Sequence, residues 1–240
     1  MLFGEASPRV RVEFDGGAVQ DFFGQTSWYD APLNTISIND DDIWGYQGDG
    51  AATQAHEYGH SYHNMALGGI GHIYISSRDP SHYFEAYSNG AKALLEGFAE
   101  FFETLVMPGR GEIHPGVRWP QHWKYTIPVG PKSEARVAAY FWDAIDDASE
   151  KGSAHEHYGQ DGWGTVYNPG HAQELYDQVT ILPSTLGKVI DECGSPSWGL
   201  LDSRPESIEG IHQCLKAYPG SAPSTALNRI YSANINGEYQ

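Results

Sequence analysis

The chain opens on an alternating pattern and turns to a helical one near residue 50. Residues 9–14 (Arg-Val-Arg-Val-Glu-Phe) alternate polar and apolar, the period of a half-buried strand. Asp15-Gly16-Gly17 is a turn signal, and residues 18–24 are expected to return as a second strand. Residues 33–39 (Leu-Asn-Thr-Ile-Ser-Ile-Asn) are β-branched and alternating, which predicts a third. An acidic loop follows, with Asp40-Asp41-Asp42 and then Gly48-Asp49-Gly50. Residues 51–67 contain no proline and run into Gly68-Gly69, a helix stop. Residues 70–87 are mixed, with Ile73-Tyr74-Ile75 as a candidate short strand. The best helix spans 88–107. Ser88 or Asn89 can cap it, Ala91, Leu94, Leu95, Phe98, Phe101, Phe102 and Leu105 make its apolar face, and Pro108-Gly109 ends it.

Residues 108–131 carry Pro108, Pro115, Pro120, Pro128 and Pro131, and read as an ordered connector. Helical patterns resume at 133–149, 170–179, 184–192, 207–218 and 223–233. Strands precede helices, so the predicted class is α+β with segregated elements. The expected layout is one domain over 1–240: a strand-bearing lobe (about 1–107) that includes the helix of the candidate metal motif, the connector 108–131, and a mainly helical lobe (132–240).

Composition narrows the function classes. A chain of 240 residues buries roughly 70–75% of the surface exposed when unfolded, so it can build a core without staples. Hydrophobic residues are 40%, aromatics 13% and charged residues 19%, too apolar for a disordered chain. The formal net charge is 14 − 31 = −17. Such a surface repels phosphate backbones and anionic lipids, which argues against nucleic-acid and membrane-surface partners. No apolar run approaches 18 residues, so no membrane span is expected. The acidic surface suits a secreted or extracellular protein. Met1-Leu2-Phe3-Gly4-Glu5 shows no signal-peptide pattern, which leaves a trimmed leader or a cytoplasmic protein as readings. Cys193 and Cys214 could close a loop of about 20 residues, adding roughly 3 kcal/mol, or remain as two buried thiols; both readings stay open.

The strongest chemical signal is His56-Glu57-Tyr58-Gly59-His60, an H-E-x-x-H. Residues four apart on a helix share a face, roughly 6 Å apart along the axis. Two imidazole nitrogens can then meet one ion at about 2.0–2.1 Å. Glu57 can reach a water at that ion without binding the ion itself. A hydrolytic zinc site also needs a third protein ligand and an open fourth position. The candidate lies in Leu94-Leu95-Glu96-Gly97-Phe98-Ala99-Glu100-Phe101-Phe102, where Glu96, Glu100 and Glu103 form an acidic stripe in a very apolar helix. Three carboxylates there repel one another unless a cation or histidines neutralise them. Gly97 costs about 1 kcal/mol of helix propensity, which predicts close packing at that point.

H-E-x-x-H followed 36 positions later by Leu94-x-Glu96-Gly97-x-Ala99 resembles the gluzincin metallopeptidases, the group of thermolysin-like and aminopeptidase N-type enzymes. The resemblance covers about residues 50–107. It implies that His56, His60 and Glu96 bind one zinc ion, that Glu57 is the general base, and that Glu100 orients a ligand histidine. It implies a peptide or protein substrate, with strand 33–39 as the edge against which an extended peptide pairs. Residues 139–146 (Ala-Tyr-Phe-Trp-Asp-Ala-Ile-Asp) look like the hydrophobic Trp-Asp helix of some secreted bacterial members. A residue that helps the oxyanion is expected among Tyr140, His155, His157, Tyr158 and His171, with the stretch His155 to Tyr158 favoured.

Competing readings fall away or persist on particular residues. The metzincin pattern needs Gly at 63 and His at 66, and the chain has His63 and Ala66. His63 lies roughly 10.5 Å from His56 along the helix, too far for both to hold one ion. The aminopeptidase N motif Gly-x-Met-Glu-Asn is missing before the metal helix, which favours an endopeptidase. Asn39-Asp40-Asp41-Asp42 with Asp49 is oxygen-rich but lacks the spacing of a calcium loop, so a solvated turn is expected there rather than calcium. Trp119, Trp123, Trp142, Trp163 and Trp198 are read as core aromatics before groove lining. Two further function classes remain: a non-catalytic binding module with a vestigial zinc site, and a zinc hydrolase of non-peptide amides or esters. Oligomeric state is left open.

Overall fold

Short β-branched and aromatic segments build a small sheet at the start of the chain, and amphipathic segments build helices after it. The computed structural model describes residues 9–14, 27–38, 50–67, 88–106, 129–145, 181–194 and 205–236. Strands β1 (Arg11–Phe14), β2 (Trp28–Asp30) and β3 (Thr35–Ile38) form one sheet in the order β1-β3-β2. β1 runs parallel to β3, with Arg11 opposite Thr35, and β2 runs antiparallel to it, with Tyr29 opposite Ile36. The turn between β2 and β3 closes because the Leu33 N–H donates to Asp30 Oδ1 at 3.1 Å. Asn34 then takes a φ of 48°, a left-handed conformation that asparagine tolerates. Its Nδ2 donates to the Arg9 carbonyl at 2.7 Å, which ties β1 to the turn.

The sheet corrects one expectation. The segment 33–39 is a strand, but it is the central one. Thr35, Ile36, Ser37 and Ile38 are all buried, and β3 is paired on both sides, so it offers no edge to a peptide. Among the described residues the edges are β1 and the unforeseen β2. Three residues ahead of Pro32 are too short for alternation to reveal. The expected strands at 18–24 and 73–75 and the helix at 170–179 lie outside the described residues, as does most of the connector.

Six helices follow among the described residues: α1 (Gly50–Ala66), α2 (Gly90–Val106), α3 (Glu134–Ile145), α4 (Pro183–Gly194), α5 (Ile208–Ala217) and α6 (Ser224–Tyr231), with a π-helical turn at Ser232–Asn236. The class is α+β, as the sequence order implies. None of these helices is long and apolar enough to cross a membrane. Asn89 caps α2, its Oδ1 accepting the Lys92 N–H at 2.7 Å. Ser88 instead donates its backbone N–H to the Lys132 carbonyl at 2.8 Å, joining the start of α2 to the approach of α3.

α2 is the central helix, packed between α1 and α3. Ala93, Leu94, Phe98 and Phe101 on it have no solvent exposure. Two glycines set the spacing. A Cβ on Gly59 of α1 would lie 2.9 Å from Ala99 Cα, and a Cβ on Gly97 of α2 would lie 2.6 Å from the Glu134 carbonyl oxygen and 2.7 Å from Val137 Cβ. The close packing expected at Gly97 is thus against α3. Phe98 stacks on Tyr62 and meets Phe141 edge-on at 5.4 Å. Cys193 of α4 and Cys214 of α5 are bridged, which settles the open reading of the cysteines. The buried Arg136 of α3 donates to the Asn234 carbonyl, and Asn234 Nδ2 donates to Asp143 Oδ2 at 2.6 Å, locking the π-helical turn onto α3.

Gly97→Ala tests this packing. Overpacking costs about 1–3 kcal/mol, against the roughly 1 kcal/mol that alanine gains over glycine in a helix. The variant should show a lower urea midpoint than the parent when both are measured with chelator present. An equal or higher midpoint would mean that α2 and α3 can part without cost.

Candidate metal centre

The site is made where α1 crosses α2. His56 and His60 are one turn apart on α1, and their rings sit 4.8 Å apart at 89°. Glu57, between them in sequence, is buried, and its carboxylate accepts a hydrogen bond from the Tyr29 backbone N–H of β2. α2 brings Glu96 from the other side. Its Oε2 lies 3.3 Å from His56 Nε2 and 3.1 Å from His60 Nε2. Its Oε1 accepts from Lys92 Nζ at 2.9 Å. Glu100 Oε1 and Glu103 Oε2 approach the opposite nitrogen of the same ring, at 3.8 and 3.7 Å from His56 Nδ1.

Two groups of these residues could hold a metal ion, and Glu96 belongs to neither. The ligating atoms of His56, Glu57 and His60 lie within 4.8 Å of one another, and so do those of His56, Glu100 and Glu103. Two ligands each about 2.0–2.1 Å from a tetrahedral ion must lie roughly 3.3–3.4 Å apart. The two distances from Glu96 Oε2 to the imidazole nitrogens are close to that edge. The donor chemistry fits as well: imidazole and carboxylate, converging from two rigid helices. Glu100 Oε2 and His60 Nδ1 are buried with no hydrogen-bond partner among the described residues. A histidine that binds a metal usually has such a partner on its other nitrogen; His56 Nδ1 has two carboxylates near it, beyond hydrogen-bond length.

The charges are mutually dependent. For Glu96, burial works to raise the pKa, but the charges of His60 and His56 and their hydrogen bonds outweigh it and hold the carboxyl well below its usual range. For His56, burial works to lower the pKa, yet the hydrogen bond to Glu96 and the charges of Glu100, Glu57 and Glu96 raise it well above the usual value. Glu57 is raised, mainly by burial. Glu100 is pushed up to about 8 by burial, with repulsion from Glu103 and Glu96 adding to it and His56 opposing. The raised His56 and lowered Glu96 favour an ion pair between them, with Lys92 Nζ on the other carboxylate oxygen.

All five residues that the sequence singled out, His56, Glu57, His60, Glu96 and Glu100, are brought together. His63 is not among them. It stacks on Phe98 at 5.0 Å in the core, where burial drops its pKa to about 3. Tyr140 drops out as an oxyanion donor. It is fully buried in α3, and its hydroxyl meets His212 Nδ1 at 2.8 Å. His155, His157, Tyr158 and His171 lie outside the described residues, as do Asn39–Asp42, Asp49, Trp119, Trp123, Trp163 and Trp198. Trp142 packs partly buried against the main core. Sequence reading missed two partners of the site. Lys92 was legible in principle, being four residues before Glu96. The Tyr29 amide carries no sequence signal.

No protein-family model, curated protein or solved structure matches the chain. The fold and the site thus define an α+β protein with a His/Glu cluster able to hold a metal ion, and the cluster must speak for itself.

The Tyr140 network yields a pH prediction. His212 Nε2 lies 3.1 Å from Asn228 Oδ1, so Nε2 carries the proton and Nδ1 accepts from Tyr140. Burial lowers the His212 pKa from 6.5 to about 4. The unfolded chain takes up this proton first, so the stabilisation is complete above 6.5 and is lost as the pH falls towards 4. Between about pH 7 and about pH 5 the melting temperature of the parent should fall more than that of His212→Gln. Parallel curves would mean that His212 titrates alike folded and unfolded.

Proposed function

We propose that the chain is a zinc-dependent peptidase of gluzincin type. The observation that carries this reading is the meeting of Glu96 Oε2 from α2 with the Nε2 atoms of both His56 and His60 from α1. His56, His60 and Glu96 would hold the ion. Zinc, when bound, supplies Lewis acidity, which acidifies water and polarises a carbonyl.

The chain's own residues do the rest. Glu57 is buried one position after the first histidine and raised mainly by its burial, which suits a general base. It takes a proton from the attacking water and returns it to the leaving amine. The Tyr29 N–H on its carboxylate holds it in place. β1 and β2 are the edges of the described sheet, so a peptide that adds a strand would pair with one of them and not with β3. Glu100 and Glu103, 3.8 and 3.7 Å from His56 Nδ1, act on that ring by charge. The missing Gly-x-Met-Glu-Asn motif supports internal cleavage over removal of amino-terminal residues.

Three measurements test the reading. The purified protein should take up one equivalent of zinc and cleave members of a peptide library, with cleavage lost on chelation. Glu57→Gln should keep its zinc but lose hydrolysis; a metal-loaded and active Glu57→Gln protein would remove Glu57 from the base role. Glu96→Ala should weaken zinc binding by more than the roughly 100-fold that an outer partner of a ligand costs. Uptake of zinc with cleavage of esters or non-peptide amides alone would keep the hydrolase and change the substrate.

A further inference from the structure

Lys92 lies in the first turn of α2, in a chain with 14 Lys and Arg against 31 Asp and Glu. Its ammonium turns inward. Nζ donates to Glu96 Oε1 at 2.9 Å, and the side chain is only 14% exposed. The twin oxygen, Oε2, faces the two imidazoles at 3.3 and 3.1 Å. The two oxygens of one carboxylate are therefore divided between an ammonium and the histidine pair.

That division matters because a carboxylate can bind a cation through one oxygen or through both. Binding through both would consume the position that a hydrolytic site keeps open for water. A charge-assisted hydrogen bond is roughly twice as strong as a neutral one, so Lys92 holds Oε1 firmly. An ordinary i, i+4 pair on a helix surface would leave both groups in water. Here Lys92 and Glu96 are both largely withdrawn from it. The placement also limits repulsion, because the ammonium meets the oxygen turned away from the imidazoles. Resting on the metal-centre reading above, we propose that Lys92 is a positioning residue that restricts Glu96 to ligation through one oxygen and so keeps a coordination position open.

Cobalt(II) substituted for zinc tests this, because its visible bands weaken as the coordination number rises from four to five. The parent, Lys92→Met and Lys92→Arg are compared for band intensity, zinc affinity, peptide hydrolysis and, with chelator, urea midpoint. The parent and Lys92→Arg should share a strong band. Lys92→Met should show a weaker band and hydrolyse peptide about 10–100-fold more slowly, the range for an outer partner of a metal ligand. A Lys92→Met band as strong as the parent's overturns the role of Lys92, whatever its urea midpoint, and leaves the metal centre standing. A parent that takes up neither zinc nor cobalt overturns the metal centre itself, and this inference with it. If Lys92→Met does not fold, Lys92→Ala takes its place: a weakened band in that folded variant supports the role, and a band as strong as the parent's overturns it.

Discussion

The close contact of α1 with α2 at Gly59 governs the rest of the site. Helices with ordinary side chains at their contact pack with axes about 8–10 Å apart. At Gly59 there is no room even for a Cβ, since Ala99 Cα would lie 2.9 Å from it. Gly59 is next to His60, and Ala99 is three residues after Glu96. Whatever separates the backbones here also separates Glu96 Oε2 from the imidazoles, which it now meets at 3.1 and 3.3 Å. A shift of about 1 Å would turn these contacts from ligand-like to empty, because metal–ligand distances tolerate only about 0.2 Å. Packing and chemistry are therefore the same constraint seen from two sides. Gly97, on the α3 side of α2, extends it by fixing where α2 can lie.

Electrostatics explains why such a cluster needs its contact held from outside. Glu57, Glu96 and Glu103 are buried and Glu100 nearly so, with His56, His60 and Lys92 beside them. Burying a charge is costly unless it is paired. The apolar packing around Phe98 and Phe101 supplies the stabilisation that such a cluster does not supply for itself. Charged groups gathered out of water interact strongly, and here they form groups that could hold a metal ion. An ordinary core would hold leucines in those positions.

Much of this was legible because the signals are local. The four-residue spacing of His56 and His60, the apolar face of α2 and the cost of Gly97 all belong to one helix at a time, and each emerged where the pattern placed it. Glu96 was reached through a resemblance and through the oddity of a carboxylate stripe in an apolar helix. What stayed hidden depends on partners far away in sequence. Nothing local says that β3 is central, since its alternation of apolar and polar residues would suit any half-covered strand until β1 and β2 are paired with it. Tyr140 looks in sequence like any aromatic of a Trp-Asp helix. Its hydroxyl is committed to His212, 72 residues on, a pairing that no local pattern reveals. Lys92 was legible as an i, i+4 partner of Glu96, but such pairs are commonplace, and only the burial of this one gives it meaning.

The second half of the described chain also acts on the centre, though it gives no ligand to it. Gly194, which ends α4, lies directly against the backbone of Ala66 and Leu67 at the end of α1. The bridge from Cys193 to Cys214 fastens α4 to α5 one residue before that contact. On the sheet side of α1, Tyr29 of β2 donates to Asn34 at 2.9 Å and accepts from Asn64 of α1 at 3.2 Å, while its amide reaches Glu57. α1 is thus held by the sheet on one side and by a cross-linked helix pair at its end, with α2 against its length. A ligand set tolerates little displacement, and rigid elements hold it better than loops do. α4 and α5 therefore brace the end of the helix that carries His56 and His60.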